Sequence, residues 1–141
     1  MSRTAGWWLG LALLGATAAA RADTGLELAH ECMQAMRLHA LGLEALEIDA
    51  VVEGVYCVGY VMGVMEGLVR AEEIGSRPAR IGNRFCPPES GIEAEEAVLA
   101  FLRWAEQHTA ELDEPARVAV QRALAEAYPC AAEKRRPKRA Q

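Results

Sequence analysis

The apolar residues of the chain recur at spacings of three and four in four separate stretches, which predicts helices rather than strands. The first predicted helix runs from Thr24 to about Leu41. Thr24 and Glu27 have the spacing of a capping box, in which two side chains satisfy free backbone N–H groups of the first turn. The residues of its predicted buried stripe are Leu28, Cys32, Ala35, Met36 and His39.

The second predicted helix covers about residues 44–73 and is the densest in apolar residues, so we expect it to be the central and mostly buried element. Gly59, Gly63 and Gly67 lie four residues apart within it. One face therefore carries almost no side chain, and another backbone can approach it closely. The acidic residues that argue against a membrane span here are Glu53 and Glu66.

Glycine and proline residues interrupt the helical pattern over residues 75–91, which predicts a long irregular loop. A third helix is expected over about residues 92–108 and a fourth over about residues 113–128. Asp113 is the predicted N-cap of the fourth helix, with Pro115 in the first turn, where no backbone donor is lost. Because no stretch indicates a strand, we expect an all-α domain of four helices in two antiparallel hairpins.

Both ends of the chain differ in composition from its middle. Residues 1–22 combine Arg3, an apolar run of about fourteen residues and small residues up to Ala22, which is typical of a signal peptide cleaved after Ala22. An uncleaved anchor is the alternative, but a spanning helix needs roughly twenty apolar residues. Residues 23–130 form the expected helical domain, and residues 131–141 form a basic tail that we expect to be disordered.

The net charge of the whole chain hides a more acidic domain. The chain has 15 basic and 20 acidic residues, a net charge of −5. Without residues 1–22 and 131–141, 8 basic and 19 acidic residues remain, which gives −11. A body of this charge repels nucleic acid and anionic lipid and attracts a basic partner. We therefore expect a protein partner, no nucleic acid and, after cleavage of the signal peptide, no membrane.

All four cysteines lie in the expected domain, at Cys32, Cys57, Cys86 and Cys130, and no pair has the CxxC spacing of a redox or zinc motif. An even number in an exported chain favours two disulfides. Residues at equal distances from the turn of an antiparallel hairpin lie level with each other. The midpoints of 32–57 and 86–130 fall in predicted turns near residues 44 and 108, so we expect these two pairs. Pairing 32 with 86 and 57 with 130 is the less favoured alternative, because the midpoint of 32–86 falls inside the second helix.

The residues that could carry chemistry form no catalytic or metal-binding pattern. His30 and His39 are nine residues apart on the first predicted helix, which places them on opposite faces. Cys32 follows His30 by two residues and faces away from it, and a disulfide would consume its thiol. Glu53, Glu66 and the acidic cluster of residues 93–96 could form a paired-carboxylate site, but they are interpreted as solvated acidic residues on helices. We therefore expect a chain that is not an enzyme and has no cofactor or metal.

The best candidate for a binding surface is the loop of residues 77–89 together with the acidic start of the third helix. Arg84 and Glu89 supply charge, Phe85 supplies an apolar anchor, and Glu93 adds a second acidic group. An inward position of Phe85 is an equally open alternative. Trp104 is expected in the core rather than in a contact with a partner.

Several short motifs occur together between Cys32 and Cys130. They are Tyr56-Cys57-Val58-Gly59-Tyr60, the loop Cys86-Pro87-Pro88-Glu89 and the closing Tyr128-Pro129-Cys130. In this combination the chain resembles the Rap/Tai family of type VI secretion immunity proteins. It departs from the family pattern at Glu93, where a Thr or Ser usually caps the third helix, and in the insert of residues 77–85.

The resemblance implies a periplasmic, disulfide-bonded helical protein that binds an injected peptidoglycan amidase and blocks its active-site groove. These amidases look like papain-type Cys–His enzymes, and members of the family are often homodimers. A small periplasmic helical chaperone or stress protein is the alternative. A chaperone would bind many clients, whereas an immunity protein would bind one partner in a fixed ratio.

Overall fold

A computed structural model describes residues 24–73 and 85–130, which form four α-helices and two short 3-10 segments. The helices are α1 (Gly25–Leu41), α2 (Ile48–Glu73), α3 (Ala94–Gln107) and α4 (Ala116–Ala127), and the 3-10 segments are Leu43–Ala45 and Thr109–Glu111. The two described ranges contain isolated bridges between Thr24 and Pro115 and between Phe85 and Pro129, but no strand. The all-α prediction is therefore confirmed, while the predicted signal peptide and basic tail lie outside the described residues.

The start of α1 has the predicted capping box. The Glu27 backbone N–H donates to the Thr24 hydroxyl at 3.2 Å, and the Thr24 backbone N–H donates to the Glu27 carboxylate at 2.9 Å. The helix ends at Gly42, whose φ of 83° favours glycine and whose N–H donates to the Leu38 carbonyl at 2.9 Å. The first hairpin therefore turns where the sequence predicts.

Three predicted helix boundaries are wrong by two to four residues. A 3-10 segment occupies the predicted start of α2, so this helix begins at Ile48. α4 begins after Pro115, which is its N-cap in place of Asp113. α3 begins at Ala94 with Glu93 as its N-cap, and the Glu93 backbone N–H donates to the Glu96 carboxylate at 3.4 Å. Glu93 and Glu96 therefore form a capping box, although the family that the sequence resembles usually has Ser or Thr at the position of Glu93.

α1 packs mainly on α2, and α3 packs on α4, as the two-hairpin arrangement requires. The core lies between the hairpins, and each helix contributes to it along one stripe. Full burial of one large apolar side chain contributes about 1.5–3 kcal/mol. The largest completely buried side chains are Phe101, Leu28, Leu124, Val61, Val98 and Val120.

Both predicted disulfides are present. Cys32 and Cys57 join α1 to α2 with 5.1 Å between their Cα atoms, and both residues are 0% exposed. Cys86 and Cys130 join the segment before α3 to the segment after α4, with 4.8 Å between their Cα atoms. This second bridge is closer to solvent, because Cys86 is exposed. Each hairpin is thus closed by one covalent bond.

The prediction that α2 is mostly buried is wrong. Its inward stripe packs in the core, but Ile48 is 70% exposed and Val52 and Val55 are each 59% exposed. The segment Ile48–Ala71 is long and apolar enough to cross a membrane by length and composition alone. Only 22% of its most apolar window is buried inside the protein. We call the exposed side the α2 outer face, defined by Ile48, Val52, Val55, Tyr56, Gly59 and Gly63.

A close approach of another backbone to α2 occurs, but not at the three glycines for which the sequence predicts it. Within the described residues, nothing lies within 4 Å of a Cβ built at Gly59, Gly63 or Gly67. The close approach occurs at Gly54 instead, where a Cβ would lie 2.9 Å from the backbone nitrogen of Ala35. Gly54 therefore allows α1 and α2 to pack closely beside the disulfide that joins them.

Candidate partner-binding surfaces

The segment before α3 contains the predicted binding residues, of which Phe85, Glu89 and Glu93 are described. Phe85 is only 4% exposed and its ring meets Tyr128 edge to face, with 6.2 Å between ring centroids. Of the two positions that the sequence leaves open for Phe85, the structure has the inward one. Glu89 and Glu93 are exposed. Arg84 lies outside the described residues, so the structure says nothing about its position.

Backbone and disulfide contacts hold this segment against the end of α4. The Cys86 N–H donates to the Tyr128 carbonyl at 2.9 Å, one residue after the bridge between Phe85 and Pro129. Gly91 then turns the chain with a φ of 81°, a conformation that glycine adopts without strain. Glu89 and Glu93 lie on either side of this turn. The segment that carries them is held at one end by the Cys86–Cys130 disulfide and continues at the other end into α3.

The start of α3 is acidic and lies near α1. Glu93, Glu95 and Glu96 precede or occupy its first turn, where the helix dipole favours negative charge. The Glu95 carboxylate lies 3.3 Å from the His39 ring nitrogen of α1. His39 is exposed rather than part of the buried stripe, because the end of α1 extends beyond the core.

The pKa of Tyr128 departs clearly from its ordinary value. Burial raises the pKa of Tyr128, the charge of Glu96 raises it further, and Arg103 opposes the rise. The phenol therefore stays neutral beyond its ordinary range. Its ring packs against the core beside Phe85.

A cavity of about 300 Å³ lies between α3 and α4. Buried Ala100 and Ala123 line it, with Trp104 beside them and Arg103 and Glu126 also in the lining. Trp104 is 5% exposed and stacks on the His108 ring at 4.5 Å between centroids. The prediction that Trp104 belongs to the core is confirmed. Because Arg103 and Glu126 in its lining have opposite charges, the cavity favours neither an anionic nor a cationic ligand.

The three histidines do not converge on one another. His30 lies 3.9 Å from Glu53 of α2, His39 lies near α3, and His108 lies 3.8 Å from Glu126 of α4. Within the two described ranges, no three residues of the types His, Cys, Asp and Glu are placed to hold a metal ion. The cysteines are all oxidised to disulfides.

Sequence reasoning missed the α2 outer face as an exposed surface. Apolar residues occupy nearly the whole circumference of α2 between residues 48 and 65, which shows an apolar helix but not how much of it the other helices cover. Four helices in two hairpins cover only part of such a helix. A helix that is apolar on all sides is either buried by a larger protein or offers a surface to something else.

These features define a class of protein: a small all-α domain, stabilised by two disulfides, of the kind that folds outside the cytoplasm. Its exposed surfaces are acidic at several points and apolar along one helix. The chain belongs to the family of Rap1a immunity proteins, whose family model matches residues 24–130. The match spans both hairpins and all four cysteines. Among curated proteins and among solved structures, no match to the chain was found.

Family membership confirms the resemblance found in the sequence motifs. It indicates an immunity protein of type VI secretion, a non-enzymatic inhibitor that binds a toxin protein. The fold agrees with this class, since two hairpins closed by disulfides form a firm scaffold for a binding surface.

Proposed function

We propose that this chain is a periplasmic immunity protein that neutralises a peptidoglycan amidase delivered by type VI secretion, by occupying the active-site groove of the enzyme. The observation that carries the proposal is the family match over residues 24–130, which coincides with the disulfide-closed domain. The amidase as the target is the part contributed by the resemblance of the sequence motifs.

Charge supports the first step of recognition. The described residues contain 5 basic and 18 acidic side chains, so the domain attracts a basic surface over several ångströms before contact. Attraction of this kind raises the association rate more than it lowers the dissociation rate. An immunity protein benefits from rapid capture, because each free toxin molecule continues to cut the wall until it is bound.

We propose that Glu89 and Glu93, with Arg84, contact the enzyme. The two glutamates are exposed, flank the turn at Gly91 and follow a segment that is tied to α4 by the Cys86–Cys130 bridge. A preordered segment loses less conformational entropy on binding than a free loop does. Inhibition needs no chemistry from this chain, because steric exclusion of substrate from the groove is sufficient.

Cell survival tests this proposal. Directing the partner amidase to the periplasm should lyse cells, and co-production of the full chain should prevent lysis. A chain without residues 1–22 is the matched control, since it should remain in the cytoplasm and leave the cells unprotected. N-terminal sequencing of the exported protein should find a first residue near position 23, as the proposed cleavage after Ala22 requires. Lysis at the same rate with and without the full chain would contradict the proposal.

A pair of substitutions tests the proposed contact residues. The double variant Glu89→Gln and Glu93→Gln removes two charges while keeping the shape of both side chains, so it should slow toxin association. Glu106→Gln at the far end of α3 is the matched control, because Glu106 is also exposed and acidic. Equal association rates for the double variant and the wild type would remove these residues from the interface.

Association of two copies into a homodimer is a further proposal, supported by the resemblance to the family. Sedimentation velocity of the purified chain measures it directly. A species of twice the chain mass is the expected result, and a single-chain mass at every concentration would contradict it.

The exposed apolar α2 outer face is the observation that favours the alternative function of a periplasmic chaperone. A chaperone would suppress aggregation of unrelated unfolded proteins, whereas the proposed immunity protein would not. Light scattering of a heat-denatured client protein with and without the chain distinguishes the two functions.

A further inference from the structure

The α2 outer face is an ordered row of side chains on one side of the helix. Residues 48, 52, 55, 59 and 63 follow each other at spacings of three and four, opposite the buried stripe that contains Cys57 and Val61. The row spans fifteen residue steps, about 22 Å along the helix at 1.5 Å per residue. This length matches four turns of a second helix laid against it.

Two glycines lie at the distal end of this row. Gly59 and Gly63 are exposed, and among residues 24–73 and 85–130 nothing lies within 4 Å of a Cβ built at either position. Exposed interior glycines cost a helix about 1 kcal/mol each relative to alanine. The gap that they leave lets the backbone of an incoming segment approach more closely than a leucine or valine would allow.

The charges at the other end of the face have one sign. Glu44, Glu47 and Asp49 are exposed at the turn between α1 and α2, and the ion pairs of the described residues involve other carboxylates. Two exposed leucines, Leu41 and Leu43, continue the apolar surface around this turn. The surface thus offers apolar contact beside acidic side chains that form no ion pair with another side chain in the described part of the chain.

This combination identifies the chemistry of the occupant. A segment with leucine-like side chains on one face and Lys or Arg beside them would bury the apolar row and neutralise the acids. An anionic lipid surface and nucleic acid would be repelled by the same acids. A second copy of this chain would bring the same acidic residues, so we expect the proposed homodimer to use a face other than this one.

We propose that the α2 outer face, together with the turn of residues 41–49, is a docking surface for a basic amphipathic segment of a partner protein. The proposal rests on the proposed function only in taking that partner to be the toxin. Glu89 and Glu93 lie in the segment before α3 and not on α2, so the proposal gives the domain two separate contact regions.

A designed peptide tests the chemistry without the toxin. The probe is a fluorescent helical peptide of leucine and lysine of about eighteen residues, about 27 Å long, and its counterpart with glutamate in place of lysine is the charge control. The wild-type chain should bind the lysine peptide, with affinity that falls as salt screens the charges, and should not bind the glutamate peptide.

Matched variants locate the peptide on the surface. Val52→Ser combined with Val55→Ser should weaken binding at least about tenfold, since loss of roughly 1.4 kcal/mol is sufficient for that change. Met33→Ser is the control, because Met33 is 51% exposed on α1 and lies outside the docking surface. Glu44→Gln combined with Glu47→Gln should weaken binding mainly at low salt.

Equal peptide affinity for the wild type and the Val52→Ser/Val55→Ser variant would overturn the proposal. So would binding to anionic phospholipid vesicles that the valine substitutions abolish, or a dimer that dissociates in that variant, since either result assigns the face to another occupant. Cell protection from the amidase is scored separately. A chain that binds the peptide at α2 but fails to protect cells refutes the proposed function and leaves the docking surface intact.

Discussion

Gly54 provides a sharp test of the packing between α1 and α2. A Cβ at Gly54 would lie 2.9 Å from the Ala35 nitrogen and 3.0 Å from the Ala35 Cα, both backbone atoms that cannot rotate away. A Cβ at Gly59 in the same helix meets nothing within 4 Å among the described residues. Alanine therefore fills a tight contact at one position and open space at the other.

The two substitutions share one energetic term and differ in the other. Each replaces a helical glycine by alanine, which favours the helix by about 1 kcal/mol. Only Gly54→Ala forces atoms into a packed contact, and such overpacking typically costs about 1–3 kcal/mol. We expect Gly59→Ala to be about 1 kcal/mol more stable than the wild type, and Gly54→Ala to be about 1–3 kcal/mol less stable than Gly59→Ala.

Urea unfolding followed by helical circular dichroism measures this difference. The experiment omits reductant, so that both disulfides stay closed and the unfolded states are comparable. With a urea dependence of about 1–3 kcal/mol per molar, the two midpoints should differ by on the order of 1 M. Equal midpoints for Gly54→Ala and Gly59→Ala would refute the close approach of the two helices.

Three further predictions follow from single sites. Mild thiol reduction should open the Cys86–Cys130 bridge before the Cys32–Cys57 bridge, because Cys86 is exposed and the other bridge is fully buried, and mass spectrometry after thiol labelling gives the order. Thr24→Ala should cost about 1 kcal/mol through loss of the N-cap, measured by urea unfolding against Thr24→Ser, which should retain most of the stability. Burial and the charge of Glu96 place the pKa of folded Tyr128 above its ordinary value of 10.0. The neutral phenol therefore contributes stability that is present below pH 10 and is lost as pH rises through the folded pKa. Because phenylalanine does not titrate, the fall in unfolding free energy between about pH 9 and pH 11 should be smaller in Tyr128→Phe.

Local sequence signals predict the parts of this fold that depend on near neighbours. The capping box of α1 needs only Thr24 and Glu27, and the disulfide pairing follows from hairpin geometry once the turns are placed. The helix starts were less accurate, because a 3-10 segment and Pro115 each shift a boundary within a polar turn. At such places several conformations have similar energies.

The exposure of α2 was not predictable from its composition. Valine and isoleucine on every side of a helix show that the helix is apolar, but they do not show how many neighbours cover it. Likewise, the three glycines at positions 59, 63 and 67 have the spacing of a packing motif, whereas the packed glycine is Gly54, which has no such spacing. Both facts depend on the tertiary arrangement of the four helices.

Among the candidate binding residues, the exposure of the charged side chains was predictable from the sequence, but the position of the aromatic one was not. Glu89 and Glu93 are exposed, as their charge suggests, while Phe85 lies inward because Tyr128 and Pro129 complete a site for its ring beside the second disulfide. Those partners are more than forty residues away in sequence and become neighbours through the Cys86–Cys130 bridge. An inspection of residues 77–89 alone could not select between the two positions.

Titration of the partner amidase with the purified chain tests the central claim most directly. The amidase is incubated with peptidoglycan while increasing amounts of the folded, disulfide-bonded chain are added, and the release of soluble fragments is followed. If the chain is a stoichiometric immunity protein, hydrolysis should fall linearly and reach zero at one equivalent per enzyme. Full hydrolysis in the presence of a large molar excess of the chain would contradict the account.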